Sequence, residues 1–474
     1  MLFNSIEFLL FLPTVFVLYW LVFKNQLRAQ NVLLLVASYV FYGWWDWRFL
    51  SLIIASTFLD YFIALQIGRT DISKKRKLLL GISLLGNLGM LGFFKYYNFF
   101  ITSWIEAWSS LGITMEASTL NIILPVGISF YTFQTLSYTI DVYRKEMQPT
   151  KNFIDFATFV TFFPQLVAGP IERASHLLPQ FYKNRTFDSN LAISGVQLIL
   201  WGLFKKVVIA DSCAVYVNQI FQNHEQLDSI TLLMGSFYFA FQIYCDFSGY
   251  SDMAIGISRL FGFDLMQNFN YPYFSRDIAE FWRRWHISLS TWFRDYLYIP
   301  LGGSKGGMWV KVRNTFIIFL VSGFWHGANW TFIVWGLLNA LYFLPLLLKD
   351  KNRVNLGEVK LKFDLLSFRT ILNIVFTFLL TCLAWIFFRA DTIEIAFNYL
   401  FNIFSFSFDK SFVNYLSKTT IVIFSFFLFL EWKNRNNENP LAGKFWFVKT
   451  ILVIVFLILF GNFYNVNEFI YFQF

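Results

Sequence analysis

The chain has 474 residues and a formal net charge of +9, with 57% hydrophobic, 22% aromatic and 14% charged residues. Soluble domains carry roughly 25% charged residues, so this composition excludes a soluble globular protein and predicts an all-α polytopic membrane protein. The basic residues are spread over short loops between apolar runs. This pattern indicates topogenic lysine and arginine and gives no support to nucleic-acid binding.

The N-terminal part predicts several spans and their orientation. Leu9 to Phe23 is expected to be a retained span, because it has neither a basic leader nor a small-residue cleavage site. Residues 69–77 contain Arg69, Lys74, Lys75, Arg76 and Lys77 on one short loop. Such a loop is expected on the cytoplasmic side, and counting the crossings back from it predicts an N-terminus outside the cytoplasm.

Two middle segments do not fit a simple crossing. Phe153 to Val167 is short and leads into a stretch with Pro164 and Pro170, which predicts a re-entrant or interfacial element. The long apolar segment from residue 191 to 221 is interrupted by Lys205 and Lys206, which are expected either to lie beside a buried polar cavity or to snorkel from a kinked helix. In all we expect roughly 10 to 12 spans plus re-entrant pieces, in a single domain of residues 1–474.

The segment from residue 271 to 313 is more basic and more aromatic than its surroundings. Helical spacing of Ile278, Phe281, Trp282, Trp285 and Leu289 predicts an amphipathic helix lying on a surface, with Arg283 and Arg284 on another face. A glycine-rich loop with Lys305 follows. It lacks the residue order of a phosphate-binding P-loop.

Residues 321–330 hold a histidine, His326, between Gly323 and Gly327 in an apolar context. The apolar run before it, roughly residues 314 to 324, is too short to cross a hydrocarbon core of about 30 Å. We therefore expect a re-entrant hairpin with His326 at membrane depth near its turn. An ionisable residue there is a candidate functional residue. The alternative is a histidine that only bonds a neighbouring helix.

These residues suggest a chemistry and leave one rival. A histidine near its free pKa can take a proton from a hydroxyl group, and a thioester donor such as acyl-CoA carries phosphates that bind cations. The candidate donor-binding residues are Arg283, Arg284, Lys305, Lys311 and Arg313, although the same charges could serve only topology and lipid headgroups. A histidine-lined transporter fits nearly as well, but no internal repeat is found. The cysteines form no CxxC pair, so no metal site is expected.

Several motifs resemble a known family. Residues 285–303 (WHISLSTWFRDYLYIPLGG) and 324–330 (FWHGANW) resemble the membrane-bound O-acyltransferase family. Residues 124–134, 163–171 and 244–252 are similar to its bacterial branch, whose members O-acetylate alginate and peptidoglycan. The teichoic acid D-alanyl transferases are a more distant likeness. The resemblance covers nearly the whole chain, with a catalytic core at about residues 120–350.

The resemblance implies roles for individual residues and for partners. It implies that His326 is the catalytic histidine, that His286 is the second family position, and that Arg294, Asp295 and Asn329 support them. Arg294 and Asp295 could instead form only a structural ion pair. It also implies a ring of helices around a central funnel in the bacterial cytoplasmic (inner) membrane. Acetyl-CoA or a similar thioester would be the co-substrate, with no permanently bound cofactor, and an extracytoplasmic acyltransferase or esterase-like protein would be the partner.

Overall fold

Helices alone make up the regular structure of the computed structural model, which describes residues 1–356, 368–409, 411–463 and 469–470. No strand occurs in these ranges. The helices form two compact units, one of Met1–Gly195 with Ile257–Met266 and one of Val196–Gly256 with Gln267–Phe474. The expected all-α architecture is confirmed, and the single domain stays a prediction.

The α-helices are defined here in chain order. They are α1 (Ile6–Val17), α2 (Leu27–Asp46), α3 (Leu50–Arg69), α4 (Ser73–Leu91), α5 (Tyr97–Ser109), α6 (Ile128–Tyr143), α7 (Phe153–Thr161), α8 (Ala174–Leu177), α9 (Ser189–Phe204), α10 (Asp211–Gln222), α11 (Ser229–Leu260), α12 (Ile278–Arg284), α13 (Ile287–Phe293), α14 (Gly307–His326), α15 (Trp330–Leu348), α16 (Phe368–Arg389), α17 (Ile393–Ile403), α18 (Lys418–Lys433) and α19 (Trp446–Phe460).

Five helical segments of the described residues are long and apolar enough to cross a membrane. They are Leu27–Arg69, Ser73–Ser109, Ser229–Leu260, Trp330–Leu348 and Phe368–Arg389. The first segment contains both α2 and α3, and the second contains α4 and α5. The shorter apolar helices Ile6–Val22 and Trp446–Phe460 lie at either end of the chain. The larger number of spans expected from the sequence stays a prediction.

A buried carboxylate ties three helices of the first unit together. Asp60 on α3 accepts a hydrogen bond from the Asn87 amide on α4 at 2.8 Å and from the Thr139 hydroxyl on α6 at 3.0 Å. The Ser83 hydroxyl on α4 donates to the same carboxylate. A polar group inside an apolar bundle is costly unless it is satisfied, so these bonds fix the register of α3, α4 and α6.

The two lysines that interrupt the segment from residue 191 to 221 lie buried in the second unit. Lys205 Nζ lies 2.6 Å from Asp252 Oδ2, and Lys206 Nζ lies 2.7 Å from Asp246 Oδ1 and 3.0 Å from Asp211 Oδ1. Both lysine side chains are at most 3% exposed. Of the two alternatives for these lysines, the structure therefore supports burial and excludes snorkelling. The carboxylates supply the compensation that buried ammonium groups require.

The predicted surface helix between residues 278 and 289 is wrong in two respects. It is two short helices, α12 and α13, because the backbone turns at His286, whose φ is +45°. Its aromatic face is also buried, with Phe281 at 1% and Trp285 at 0% exposure. The apolar spacing within two short helices can match that of one continuous helix, so the period does not reveal the break. It also does not reveal that aromatic side chains of other helices cover the apolar face.

The hairpin around His326 is longer than expected. Helix α14 has 20 residues and begins at Gly307, so it extends about 30 Å and matches the thickness of a hydrocarbon core. Length alone does not make α14 a crossing, because it is not among the five candidate spans of the described residues, and the re-entrant hairpin stays a prediction. Helix α15 packs closely against α14, since a Cβ at Gly323 would overlap the carbonyl oxygen of Phe332, and one at Gly336 would overlap that of Phe319.

Adding a methyl group at this contact should lower the stability of the protein. Gly323→Ala is expected to destabilise the fold by about 1–3 kcal/mol, because backbone atoms of α15 leave no room for a Cβ. Gly89→Ala is the matched control, since Gly89 lies on α4 with nothing near its added Cβ, and there alanine should gain helix propensity. Melting temperatures of the purified variants in detergent measure both. A Gly323→Ala melting temperature at or above that of Gly89→Ala would contradict the close contact.

Candidate functional site

His326 is the last residue of α14 and lies in an aromatic enclosure. Its side chain is buried, at 4% exposure for the residue. The imidazole centroid lies 4.9 Å from the ring of Trp325, 5.1 Å from that of Trp335 and 5.3 Å from that of Phe388. The rings come from α14, α15 and α16 and exclude water from most of the imidazole surface. The enclosure provides the low-dielectric surroundings in which hydrogen bonds to a reacting group become strong.

Asn329 holds the turn that follows His326. Its side-chain oxygen accepts a hydrogen bond from the backbone N–H of Thr331 at 3.0 Å and so caps the N-terminus of α15. Its amide nitrogen donates to the backbone carbonyl of Asp391 at 2.8 Å, beyond the end of α16. Asn329 therefore fixes the α14–α15 turn to the end of α16, and it supports His326 through the backbone.

His286 lies at the break between α12 and α13 and is 1% exposed. Its Nδ1 lies 3.0 Å from Asn268 Oδ1, which also accepts hydrogen bonds from the Ser288 hydroxyl at 2.9 Å and the Ser288 backbone N–H at 3.4 Å. The Ser288 backbone N–H can only donate, so the Asn268 side-chain atom that faces Ser288 and His286 is the amide oxygen, an acceptor. Nδ1 of His286 then carries the proton and donates it, and Nε2 is the basic nitrogen.

His286 is neutral at physiological pH and lies close to His326. It lies outside the candidate spans, and burial lowers its pKa to about 3. Both imidazoles lie against one side chain, Trp325, with centroid distances of 6.0 Å for His286 and 4.9 Å for His326. The two imidazole centroids are therefore within about 11 Å of each other. The structure brings together the two histidines that the sequence places 40 positions apart.

A cavity of about 440 Å³ lies within the second unit beside α14. It follows one face of the helix from Lys311 through Thr315 and Ile318 to Ser322. Its other lining residues are Trp282, Leu289, Ser290, Phe293, Arg294, Tyr298, Ser304, Phe319, Phe343, Leu347, Asp350, Asn352 and Arg353. Three cations, Arg294, Lys311 and Arg353, are among the lining residues, and Lys311 forms an ion pair with the lining carboxylate of Asp350 at 3.4 Å. Apolar and aromatic side chains make up much of the rest.

The structure places only Lys311 of the five candidate donor-binding residues on this cavity. Arg283 donates to the backbone carbonyls of Asn352 at 2.9 Å and Asn355 at 3.0 Å. Arg284 forms an ion pair with Glu280 at 2.9 Å. The other two, Lys305 and Arg313, are not on the cavity: Lys305 is exposed, and Arg313 donates to the Leu301 carbonyl at 3.1 Å.

Arg294 and Asp295, the two supporting residues expected from the sequence besides Asn329, form an ion pair with each other. Arg294 Nε lies 2.7 Å from Asp295 Oδ1, and the Arg294 side chain is 59% exposed. Arg294 also lines the cavity, whereas Asp295 does not. This geometry favours the structural alternative for Asp295 and leaves Arg294 able to face a ligand.

Comparison with known proteins assigns the family. Residues 144–352 match the model of the membrane-bound O-acyltransferase family, and this range includes both histidines and most of the cavity. The chain is 43% identical to the probable alginate O-acetylase AlgI of Pseudomonas putida over 402 residues, which are 84% of this chain and 79% of that protein. The chain belongs to the membrane-bound O-acyltransferase family. The resemblance in its motifs is thereby confirmed.

Two further relatives place this membrane-bound O-acyltransferase within the family. It is 40% identical over 429 residues to the peptidoglycan O-acetyltransferase of Helicobacter pylori, covering 84% of this chain and 78% of that protein. The teichoic acid D-alanyltransferase of Bacillus subtilis is 31% identical over 235 residues, 47% of this chain and 58% of that protein. The chain is thus a multi-pass membrane O-acyltransferase, and the family assignment argues against the transporter alternative.

Asn268 and Arg353 are residues of this O-acyltransferase site that the sequence reasoning missed. Asn268 is fully buried, and its amide nitrogen donates to the Ser251 hydroxyl at 3.1 Å on α11. It lies in an irregular stretch 18 positions before His286, and no periodic pattern connects the two. Arg353 lies in the short basic stretch after α15, with Lys349 and Lys351. It lines the cavity because the α14–α15 hairpin returns the chain to the start of α14.

Asn268 should control the protonation of His286. Asn268→Asp places a carboxylate beside Nδ1–H, which raises the His286 pKa and shifts the acid limb of the acyl-transfer pH profile to higher pH. Asn268→Ala should lower the rate about tenfold or more without that shift, because the tautomer is no longer fixed. Ser251→Ala is the control, since it removes only the bond on the far side of the amide. Equal pH profiles for wild type and Asn268→Asp would contradict this role.

Proposed function

We propose that this O-acyltransferase transfers a small acyl group, in the first instance acetyl, from a cytoplasmic thioester such as acetyl-CoA toward an extracytoplasmic polysaccharide. The observation that carries the proposal is the placement of two buried imidazoles against Trp325, in the same unit as a cavity whose lining includes three cations. The names of its relatives, an alginate O-acetylase and a peptidoglycan O-acetyltransferase, support an acetyl group and a polysaccharide acceptor.

His326 is the general base of the proposed reaction. Its imidazole takes the proton of the acceptor hydroxyl while the hydroxyl oxygen attacks the thioester carbonyl carbon. The new C–O bond forms, the C–S bond breaks, and the departing thiolate receives the proton from the imidazolium, so that the products are an ester and a free thiol. His286, with its proton on Nδ1, lies against the Trp325 ring that also contacts His326, and its role is to help orient the hydroxyl.

The aromatic enclosure protects the donor from hydrolysis. The rings of Trp325, Trp335 and Phe388 cover the His326 imidazole on three sides. A thioester that reaches this position meets few water molecules, so the acceptor hydroxyl is the favoured nucleophile.

Orientation and partners complete the proposal. The basic loop at residues 69–77 supports a cytoplasmic position for that loop and an N-terminus on the other side of the bacterial inner membrane. A separate extracytoplasmic acyltransferase or esterase-like protein would complete transfer to the polysaccharide, as the family resemblance implies. Protease accessibility of a tag at the N-terminus in intact spheroplasts tests the orientation.

Loss of the His326 imidazole should abolish transfer. His326→Ala is expected to lower the rate of acceptor-dependent thiol release from acetyl-CoA by about 10²- to 10⁴-fold. His224→Ala is the matched control, because His224 is also buried but lies beside Phe221 and Tyr399. Its activity should stay close to wild type. Residual His326→Ala activity above about a tenth of wild type would remove His326 from the role of general base.

The cations at the cavity should bind the phosphates of the donor. Lys311→Ala and Arg353→Ala are each expected to raise the KM for acetyl-CoA several-fold with little change in kcat, and added salt should weaken donor binding. Lys305→Ala and Arg313→Ala test the residues expected from the sequence that lie off the cavity. A larger KM effect in this second pair would move the donor site away from the cavity. If none of the four variants changed the KM for acetyl-CoA, these basic residues would serve only to set the membrane topology and to contact lipid headgroups.

A further inference from the structure

The cavity along α14 ends before it reaches His326. Ser322 is the α14 lining residue nearest to His326, which follows one helical turn later on the same face. At this inner end the ring of Trp282, on α12, lies 5.4 Å from that of Phe319 and 5.6 Å from that of Trp335. Trp335 in turn lies 5.1 Å from the His326 imidazole. The rings of Trp282 and Trp335 therefore stand between the cavity and the candidate base.

The indole of Trp282 also carries a hydrogen-bond donor that the other described residues leave unused. Its Nε1–H is buried and has no hydrogen-bond partner among the described residues. Buried polar groups in native proteins are nearly always paired with protein, water or ligand, so such a donor needs an explanation. Because Trp282 lines the cavity, a carbonyl oxygen of a molecule in the cavity can accept this hydrogen bond. A thioester carbonyl and the amide carbonyls of a pantetheine arm are groups of that kind.

We propose that Trp282 selects the acyl group of the donor. The indole N–H binds a carbonyl oxygen of the acyl-thioester arm, and the indole ring narrows the passage toward His326 so that only a short acyl group reaches the acceptor hydroxyl. This inference rests on the function proposed above, and it adds the residue that sets the size of the substrate.

The passage explains why the size limit falls at this residue. For transfer, the thioester carbonyl must reach the hydroxyl held by His326, so the acyl group has to pass the edges of Trp282 and Trp335. Each added methylene must find space between rings that already pack against Phe319 and Phe388. One methylene in a tight pocket commonly changes kcat/KM between two substrates by about 10- to 200-fold. The rings of Trp282 and Trp335 can supply selectivity in this range.

Two substitutions distinguish the effect of the size of the Trp282 ring from the effect of its N–H hydrogen bond. In Trp282→Ala, the ratio of kcat/KM for butyryl-CoA to that for acetyl-CoA is expected to rise about tenfold or more. Trp282→Phe keeps an aromatic ring and removes the N–H, so the ratio should stay within about threefold, while kcat/KM for acetyl-CoA falls about three- to tenfold. Trp309→Phe is the matched control, because Trp309 is 85% exposed and does not line the cavity.

Thiol release from each acyl-CoA, with an oligosaccharide acceptor and the full-length protein in detergent, gives these ratios. Melting temperatures identify variants that fail to fold, and Trp282→Leu serves if Trp282→Ala does not fold. An unchanged butyryl-to-acetyl ratio in folded Trp282→Ala or Trp282→Leu overturns the size selection. An unchanged acetyl-CoA kcat/KM in Trp282→Phe overturns the hydrogen bond. Wild-type protein without any turnover of acetyl-CoA would instead reject the donor proposed above.

Discussion

The contact between α14 and α15 is the constraint on which the candidate site depends. Gly323 and Gly336 bring the two backbones so close that a side chain at either position would meet a carbonyl oxygen of the other helix. This contact leads α14 into the short turn at residues 327–329 and sets Trp335 against His326. With Asn329 tied to the end of α16, the turn cannot shift without breaking the α15 cap. Close packing of small residues thus substitutes for the hydrophobic drive that helices lack in lipid.

The second unit contains this aromatic enclosure and also a network of buried lysines paired with carboxylates. Lys205 and Lys206 lie on the π-helical turn between α9 and α10, and each has a carboxylate within 3.0 Å, so the ammonium groups are stable away from water. Helix α11 carries Asp246 and Asp252 of this network as well as Ser251, which contacts Asn268 and through it His286. One helix therefore supports both the charged network and the tautomer of a candidate catalytic histidine.

Patterns local in sequence predicted the helical class and the family, because each is encoded in runs of neighbouring residues, and the role of His326 stays a prediction. The details that failed depend on contacts that are distant in sequence. The apolar period of residues 278–289 could not reveal the break at His286, since the φ of +45° is set by the hydrogen bonds of residues 286–288 to Asn268. The predicted helix before His326 was also too short, because only apolar residues were counted and the first turns of α14 contain Lys311 and Arg313. Arg353 reaches the cavity through the hairpin, and no spacing rule encodes that return.

We propose that the donor lies along α14 with its acyl group directed at His326. A cryo-electron microscopy structure with an acetyl-CoA analogue, in which a methylene replaces the thioester sulfur, tests this claim most directly. We expect density from Lys311 and Arg353 along the α14 face to Ser322, with the carbonyl group of the analogue beside Trp282. Density bound elsewhere, with this cavity filled only by lipid or water, would contradict it.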